Sequence, residues 1–401
     1  MIHSAVKEIL SLPTPSAHAS CIARVNGETW LTWFGGSSEG QGDIKIYFSR
    51  QTASGWTEPI RISADEALPH WNPVLLPRGD GADLFFKIGT PIPAWRTMRV
   101  HIGADGLPTG EIRELAPGDV GGRGPVRNKC LLLKNGLLLA PASIEHKEPH
   151  AWREYINPSA LASLPESDPP LRWRPFVDIS EDGGETFTKV VPVPLFAFRE
   201  ENSSSPAETA AAAVISLAKS AVAAAKAASP IEKSTSPAED PAAPLPCDGN
   251  ARPLSPCFVR RAGAIQPALW QSDDGSVHML LRSSEGHILR SDSPDGLAWS
   301  PACLTGLPNN NSGIDLVRMD DGRILLCLNP VPGDWAARTP LWLWLSRDDG
   351  DSFSPLMALE INPGEYSYPS LACEGNTVYL SYTWNRKAVA VWQIELEPTN
   401  T

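Results

Sequence analysis

The side chains best suited to chemistry lie in short segments beside turns: His18, Glu39, Asp43, Asn72, Lys87, Arg127, Lys129, Glu145, Gln266, Arg282, Asp315, Arg338, Glu365, Tyr366 and Tyr368. Arginine and lysine can hold an anion, and carboxylates in pairs can do acid and base work, so this set points to a site for an acidic sugar. Glu39 sits in the glycine-rich run Gly35-Gly36-Ser37-Ser38-Glu39-Gly40, where a carboxylate has no packing purpose. Trp71, beside Asn72, is placed to stack on a sugar ring. The Ser180/Asp182 and Ser346/Asp348 pairs look nucleophilic, but their setting makes them turn-formers. No His/Cys/Asp spacing indicates a zinc site and no glycine-rich phosphate loop occurs, so neither a metal nor a cofactor is expected.

These residues need a scaffold, and a repeat reveals it. Ser180-Glu181-Asp182-Gly183-Gly184-Glu185-Thr186-Phe187 and Ser346-Arg347-Asp348-Asp349-Gly350-Asp351-Ser352-Phe353 share the pattern Ser-x-Asp-x-Gly-x-Thr/Ser-aromatic, and worn versions end at Trp56 and Trp299. Asp, Gly and Ser/Thr at these spacings tie a tight hairpin, and the aromatic folds back into a core. Short apolar runs bounded by Gly, Asp, Asn or Pro, such as Thr29-Trp30-Leu31-Thr32-Trp33-Phe34 and Leu341-Trp342-Leu343-Trp344-Leu345-Ser346, read as strands. The turns divide the chain into units near 17–61, 70–116, 125–194, 262–303, 312–357 and 367–397, each the size of a four-stranded blade. The spacing therefore predicts an all-β, six-bladed β-propeller. Residues 5–12 would pair with the last blade and close the ring. Residues 1–198 carry blades 1–3 and 257–401 carry blades 4–6; residues 199–256, rich in Ala, Ser and Pro and without aromatics, read as a disordered or loosely helical insertion.

A net charge of −12 argues against a general affinity for nucleic acid. No apolar run is long enough to span a bilayer, and the start lacks a basic stretch followed by an apolar one, so no membrane association and a cytoplasmic location are expected. The seven cysteines, odd in number and without CxxC spacing, read as buried free thiols.

The turn repeats resemble the Asp-boxes of the sialidase (neuraminidase) superfamily, and the chain is most similar to its BNR-repeat "predicted neuraminidase" group. The segments that carry the resemblance are His18-Ala19-Ser20, the Glu39 loop, Trp71-Asn72-Pro73, Arg127-Asn128-Lys129, Ile265-Gln266-Pro267, Asn311-Ser312-Gly313-Ile314-Asp315 and Gly364-Glu365-Tyr366-Ser367-Tyr368-Pro369-Ser370. A sialidase grips a carboxylate with three arginines, attacks with a tyrosine activated by a glutamate, and uses an acid/base aspartate. The resemblance implies that Arg282 and Arg338 are the second and third arginines, because each precedes an Asp-box at the expected interval. It implies Tyr368 as nucleophile and Glu39 near the acid/base position. Two features depart from it. The Phe/Tyr-Arg-Ile-Pro signature is missing, with His18 at that place, and Gln266 stands where the tyrosine's glutamate partner is expected. Gln266 can orient a hydroxyl but cannot take its proton.

The expected function is thus a sialidase-like glycoside hydrolase acting on an anionic or polar glycan. Its catalytic candidates are Glu39, Tyr368, His18 and Asp315. The substrate-binding candidates are Arg282, Arg338, Lys129, Arg127, Asn72, Trp71, Gln266, Glu145 and Glu365. A polysaccharide lyase acting on uronic-acid glycans, with His18 or Tyr368 removing a proton, and a non-catalytic glycan- or protein-binding propeller are the alternatives.

Overall fold

The computed structural model describes residues 1–118, 122–145, 173–195, 249–254, 259 and 262–399. The predicted insertion, residues 199–256, lies outside them except for residues 249–254. Six antiparallel sheets form the expected six-bladed propeller, and the strand runs read from the sequence recur within it. Blade 1 contains Ser16–Val25, Glu28–Gly36 and Lys45–Thr52, with Gly55–Trp56 and Ile60–Ile62 both pairing on the last of these. Blade 2 runs His70–Arg78, Gly81–Ile88, Arg96–Ile102 and Pro108–Glu114; blade 3 runs Leu131–Leu132, Leu138–Glu145, Trp173–Ser180 and Lys189–Pro192. Blade 4 holds Ala264–Gln271, Val277–Ser283, His287–Ser293 and Cys303–Pro308, and blade 5 holds Asp315–Arg318, Ile324–Leu328, Leu341–Ser346 and Ser354–Glu360. Blade 6 is Tyr366–Glu374, Thr377–Trp384 and Ala388–Leu396, completed from the other end of the chain by Ile2–Leu10.

That closing strand pairs antiparallel with Ala388–Leu396, from Ala5 opposite Ile394 to Leu10 opposite Val389. Lys7 also ion-pairs with Glu360, which accepts a 2.6 Å bond from the Tyr382 hydroxyl. The pairing covers the backbone groups of the last strand and joins the chain's two ends.

Apolar side chains fill each junction between blades. Phe34 and Ile46 meet Val74, Leu84 and Phe86 between blades 1 and 2. Leu139 and Ile179 meet Leu269, Met279 and Leu281 between blades 3 and 4. Ile22, Leu31 and Trp33 meet Tyr379, Val389 and Val391 where blade 6 returns to blade 1. A ring with a packed core at every junction is rigid at its centre, as a preorganised site requires.

The Asp-boxes join the third and fourth strands of their blades. Ser180 Oγ takes the Gly184 N–H at 2.8 Å, and Asp182 takes the Thr186 N–H and hydroxyl at 2.9 and 2.6 Å. In blade 5 the matching bonds are 2.9, 3.0 and 2.5 Å. Phe187 and Phe353 are buried. The Ser180, Asp182, Ser346 and Asp348 side chains bond within their own turns, whereas Glu185 and Asp351 pair with arginines outside them. Residues 249–254 run against the second box, with Asn250 bridged to Ser352 and Ala251 bonded to the Asp351 carbonyl.

One expectation is corrected. Cys303 is disulfide-bonded, with a partner outside the described residues, whereas Cys21, Cys130, Cys327 and Cys373 are free thiols. The odd count and irregular spacing of cysteines concealed a pair brought together only by the fold.

Candidate active site at the propeller axis

The innermost strands of blades 1, 2, 4 and 6 share a defect. Their pairing registers shift between His18 and Cys21, Trp71 and Val74, Ile265 and Ala268, and Ser367 and Ser370. Within each shift one non-glycine residue adopts a left-handed backbone: Ala19 (φ 51°), Asn72 (φ 43°), Gln266 (φ 54°) and Tyr368 (φ 55°). Each such residue costs on the order of 1–3 kcal/mol, and such strain concentrates where a bulge must re-aim a side chain.

One segment holds these bulges in place. Arg127 donates from Nη2 to the carbonyls of Tyr368 (2.7 Å) and Pro369 (2.8 Å). Asn128 donates from Nδ2 to the carbonyls of Gln266 (3.2 Å), Pro267 (3.1 Å) and Ile314 (3.2 Å). Both side chains are buried, so blade 3 sends a polar plug that ties the inner ends of blades 4, 5 and 6 together. Lys129 follows with an ion pair to Asp315 and a 3.2 Å bond to Ser370 Oγ. Asp315 also accepts the Leu371 N–H at 2.8 Å. The structure thus gives Lys129 and Asp315 to each other and to the plug.

Above Arg127 stands Tyr368. The guanidinium carbons of Arg127, Arg282 and Arg338 lie 5.3, 5.6 and 5.6 Å from its ring centroid, and the His18 ring centroid lies 4.2 Å away. Arg282 donates to Tyr368 Oη at 2.6 Å, to Gln266 Oε1 at 3.1 Å and to Asn311 Oδ1 at 2.9 Å. Arg282 and Arg338 thus flank one ring and act on each other electrostatically. Tyr368, Arg282, Arg338, Gln266 and His18 are therefore brought together.

A third cation faces this group. Arg386 lies in the three-residue hairpin turn Asn385-Arg386-Lys387, where it and Asn385 are both left-handed (φ 56° and 50°). It bonds Glu365 Oε1 at 2.5 Å through Nε and pairs with Glu39 through Nη1. Arg338 reaches the same Glu365 oxygen at 2.9 Å and Ser367 Oγ at 3.3 Å. Glu39, Arg386, Glu365 and Arg338 therefore form a chain of alternating charge along the pocket wall.

The electrostatics follow from crowding. Burial, reinforced by Arg386, Arg338, Arg127 and Arg282, holds the His18 imidazole well below its usual value, so it is neutral at neutral pH. Burial lowers Arg338 too, with Arg386 and Arg282 adding to the effect. Burial raises the Glu145 carboxyl, helped by Glu39 and opposed by Arg282. Like charges compressed in a partly dry pocket favour an anionic guest.

Some predicted residues lie elsewhere or do other work. Trp71 donates Nε1 to the Gly89 carbonyl at 3.0 Å and packs on Phe34 and Trp95, with ring centroids 5.8 and 5.5 Å away. Asn72 is buried at its bulge and has no hydrogen-bond partner among the described residues. Asp43 caps the Glu39 loop, accepting the Ser37 N–H and hydroxyl at 2.9 Å each. Tyr366 is part of the core between blades 5 and 6.

Lys87 is buried in blade 2, donating to Thr97 Oγ1 and the Arg123 carbonyl at 2.6 Å each. Burial pushes its ammonium down to about 7. Below that pH the folded protein carries the full cost of the buried cation. Between about 7 and 10.5 the unfolded chain holds more protons than the folded one, so stability rises with pH. Calorimetry should show the melting temperature of the wild type climbing relative to Lys87→Met from pH 7 to pH 9; parallel curves would contradict the assignment.

Arg386, Asn311, Trp173 and Trp335 escaped sequence reading. The rings of Trp173 and Trp335 lie 5.9 and 5.8 Å from the Arg282 guanidinium, and Trp335 is 65% exposed. A signal did exist for Arg386: Asn385-Arg386 between two strand runs is a hairpin turn that imposes positive φ on an arginine, a cost without a folding purpose.

Comparison with known proteins agrees with this architecture. The BNR repeat-like domain family matches residues 27–192 and 249–380, more than half of the chain. No curated protein matches the sequence. Among solved structures, a protein of unknown function from Dyadobacter fermentans aligns with a TM-score of 0.61 at 12% identity, over 99% of this chain and 100% of its own. Trypanosoma rangeli sialidase aligns with a TM-score of 0.60 at 12% identity over 98% of this chain, which spans 60% of the sialidase. Penicillium chrysogenum α-L-arabinanase complexed with arabinobiose aligns with a TM-score of 0.58 at 13% identity, over 98% of each chain. At such identities the likeness is one of fold.

Proposed function

The chain belongs to the BNR repeat-like domain family, and on that premise we propose that it is a sialidase-like glycoside hydrolase acting on an anionic or otherwise polar glycan. The observation that carries this reading is the convergence of Arg282 and Arg338 on Tyr368, with Arg282 bonded to Oη at 2.6 Å. Arg386 adds a third guanidinium from a position unrelated to the missing arginine signature. The carboxylate of an acidic sugar would be held by these arginines, displacing their internal partner Glu365. Asn72, without a protein partner among the described residues, would bond a sugar hydroxyl. Glu39 would work as acid/base, near Arg386 at the pocket wall. Tyr368 accepts a bond from Arg282, and Gln266, itself bonded to Arg282, cannot take its proton, which favours a positioning role with water as attacking group. The relatives in fold that carry glycosidase names, the T. rangeli sialidase and the P. chrysogenum arabinanase, fit the same scaffold-level reading.

Release of reducing sugar from a panel of sialosides and uronic-acid glycosides tests it. Turnover is expected to fall by about 10²-fold or more in both Arg338→Ala and Glu39→Gln. Undiminished turnover in both variants would overturn the assignment. Gln266 in place of a glutamate favours one other reading, a glycan-binding propeller without turnover. Its signature would be binding that survives Glu39→Gln and Tyr368→Phe with no product formed.

A further inference from the structure

Hydrolysis of a glycosidic bond needs a proton for the departing oxygen, and the carboxylates of the pocket differ sharply in their readiness to supply one. Glu39 is paired with Arg386, and Glu365 is shared by Arg338 and Arg386. A carboxylate held by a guanidinium is a poor proton donor. Glu145 has no ion pair among the described residues.

Its position is well defined by the strand it ends. Leu138–Glu145 is the second strand of blade 3, and Glu145 stands opposite Trp173. The Trp173 ring packs against the Arg282 guanidinium, 5.9 Å from its centroid, which brings Glu145 to the rim of the arginine pocket. The charged groups that act on the Glu145 carboxyl are Arg282 and Glu39, both members of the axial cluster. Resting on the glycoside-hydrolase reading above, we propose that Glu145 is the general acid of this site and Glu39 its general base.

Water attacks the anomeric carbon and gives a proton to the Glu39 carboxylate. The bond from the anomeric carbon to the glycosidic oxygen breaks, and that oxygen takes the Glu145 proton and leaves as an alcohol. Exchange with solvent then removes the proton from Glu39 and returns one to Glu145. Burial raises the Glu145 carboxyl from its ordinary value, which favours the protonated form that a general acid needs. Two carboxyls in different surroundings, one buried without an ion pair among the described residues and one paired with a guanidinium, suit a divided acid and base.

The test compares wild type with Glu145→Gln on two glycosides of one acidic sugar, differing only in leaving group. A 4-nitrophenyl glycoside departs without help, whereas an alkyl glycoside needs the proton. Glu145→Gln is expected to lose about 10²-fold or more on the alkyl glycoside and less than about 10-fold on the nitrophenyl one, and to lose the basic limb of the alkyl pH profile. Glu145→Asp, which keeps an acid, should lose less on the alkyl substrate and retain that limb. Equal losses on both substrates, or an unchanged pH profile in Glu145→Gln, would overturn the role of Glu145 and leave the hydrolase reading standing. Wild type that cleaves neither glycoside, nor any member of the panel above, would overturn both.

Discussion

Replacing Arg282 with alanine is expected to lower kcat/KM by about 10³-fold, equivalent to roughly 4 kcal/mol of transition-state stabilisation. One guanidinium serves three partners here: Tyr368 Oη, Gln266 Oε1 and Asn311 Oδ1. Removing it frees the Tyr368 hydroxyl from its only positioned donor among the described residues and deletes one of the three arginines that face the proposed carboxylate. Lysine at this position should recover little, because a single ammonium cannot reproduce the planar fork that reaches three acceptors. The fold should survive. Orphaning Gln266 and Asn311 costs about 1–3 kcal/mol, but removing one of four crowded cations offsets part of it. Steady-state kinetics with a melting curve on the same sample checks both halves. A loss of less than about 10-fold would place Arg282 outside the reacting complex.

Arg127→Ala should act in the opposite way, on stability before activity, with a loss of about 3–5 kcal/mol. Arg127 is 2% exposed, and its two bonds go to the Tyr368 and Pro369 carbonyls of a bulge that lies on the far side of the axis. Alanine leaves both carbonyls buried without a donor and opens a cavity beneath the Tyr368 ring. The left-handed backbone at Tyr368 persists because its surroundings hold it, so freeing these carbonyls should let it relax and the hydroxyl lose register with Arg282. Chemical denaturation should show the lowered midpoint, and activity per folded molecule should also fall. A midpoint within about 1 kcal/mol of wild type would show that the plug does not hold the axis.

The blades were legible because their signals are local. The Ser and first Asp of an Asp-box bond within eight residues, so Ser180, Asp182, Ser346 and Asp348 read as turns from sequence and proved to be turns. Counting back from the boxes singled out Arg282 and Arg338, which do face one tyrosine. Closure by the first strand was legible for a similar reason: an alternating run near the start of a propeller has an unpaired edge to meet.

What remained hidden depends on long-range geometry. Lys129 and Asp315 are as ionisable as any residue of the chain, yet they are 186 positions apart and satisfy each other. Arg127 reads as an anion-binding residue until its hydrogen bonds are seen to go to backbone. Arg386 belongs to a hairpin turn, where arginine carries no motif, and enters the pocket only because blade 6 is closed against blade 1. The bulges themselves left a faint trace in the dipeptides Asn72-Pro73, Gln266-Pro267 and Tyr368-Pro369, each a left-handed residue before a proline.

The central claim is that the arginines around Tyr368 form a carboxylate-binding pocket, and calorimetric titration tests it without requiring turnover. N-acetylneuraminic acid and glucuronic acid should be titrated beside their methyl esters, into wild type and into Arg338→Ala. In wild type at least one free acid is expected to bind about 10-fold or more tighter than its ester, a difference of roughly 1.4 kcal/mol, and the preference should disappear in Arg338→Ala. Acid and ester binding equally to wild type, or a preference that survives loss of Arg338, would contradict it.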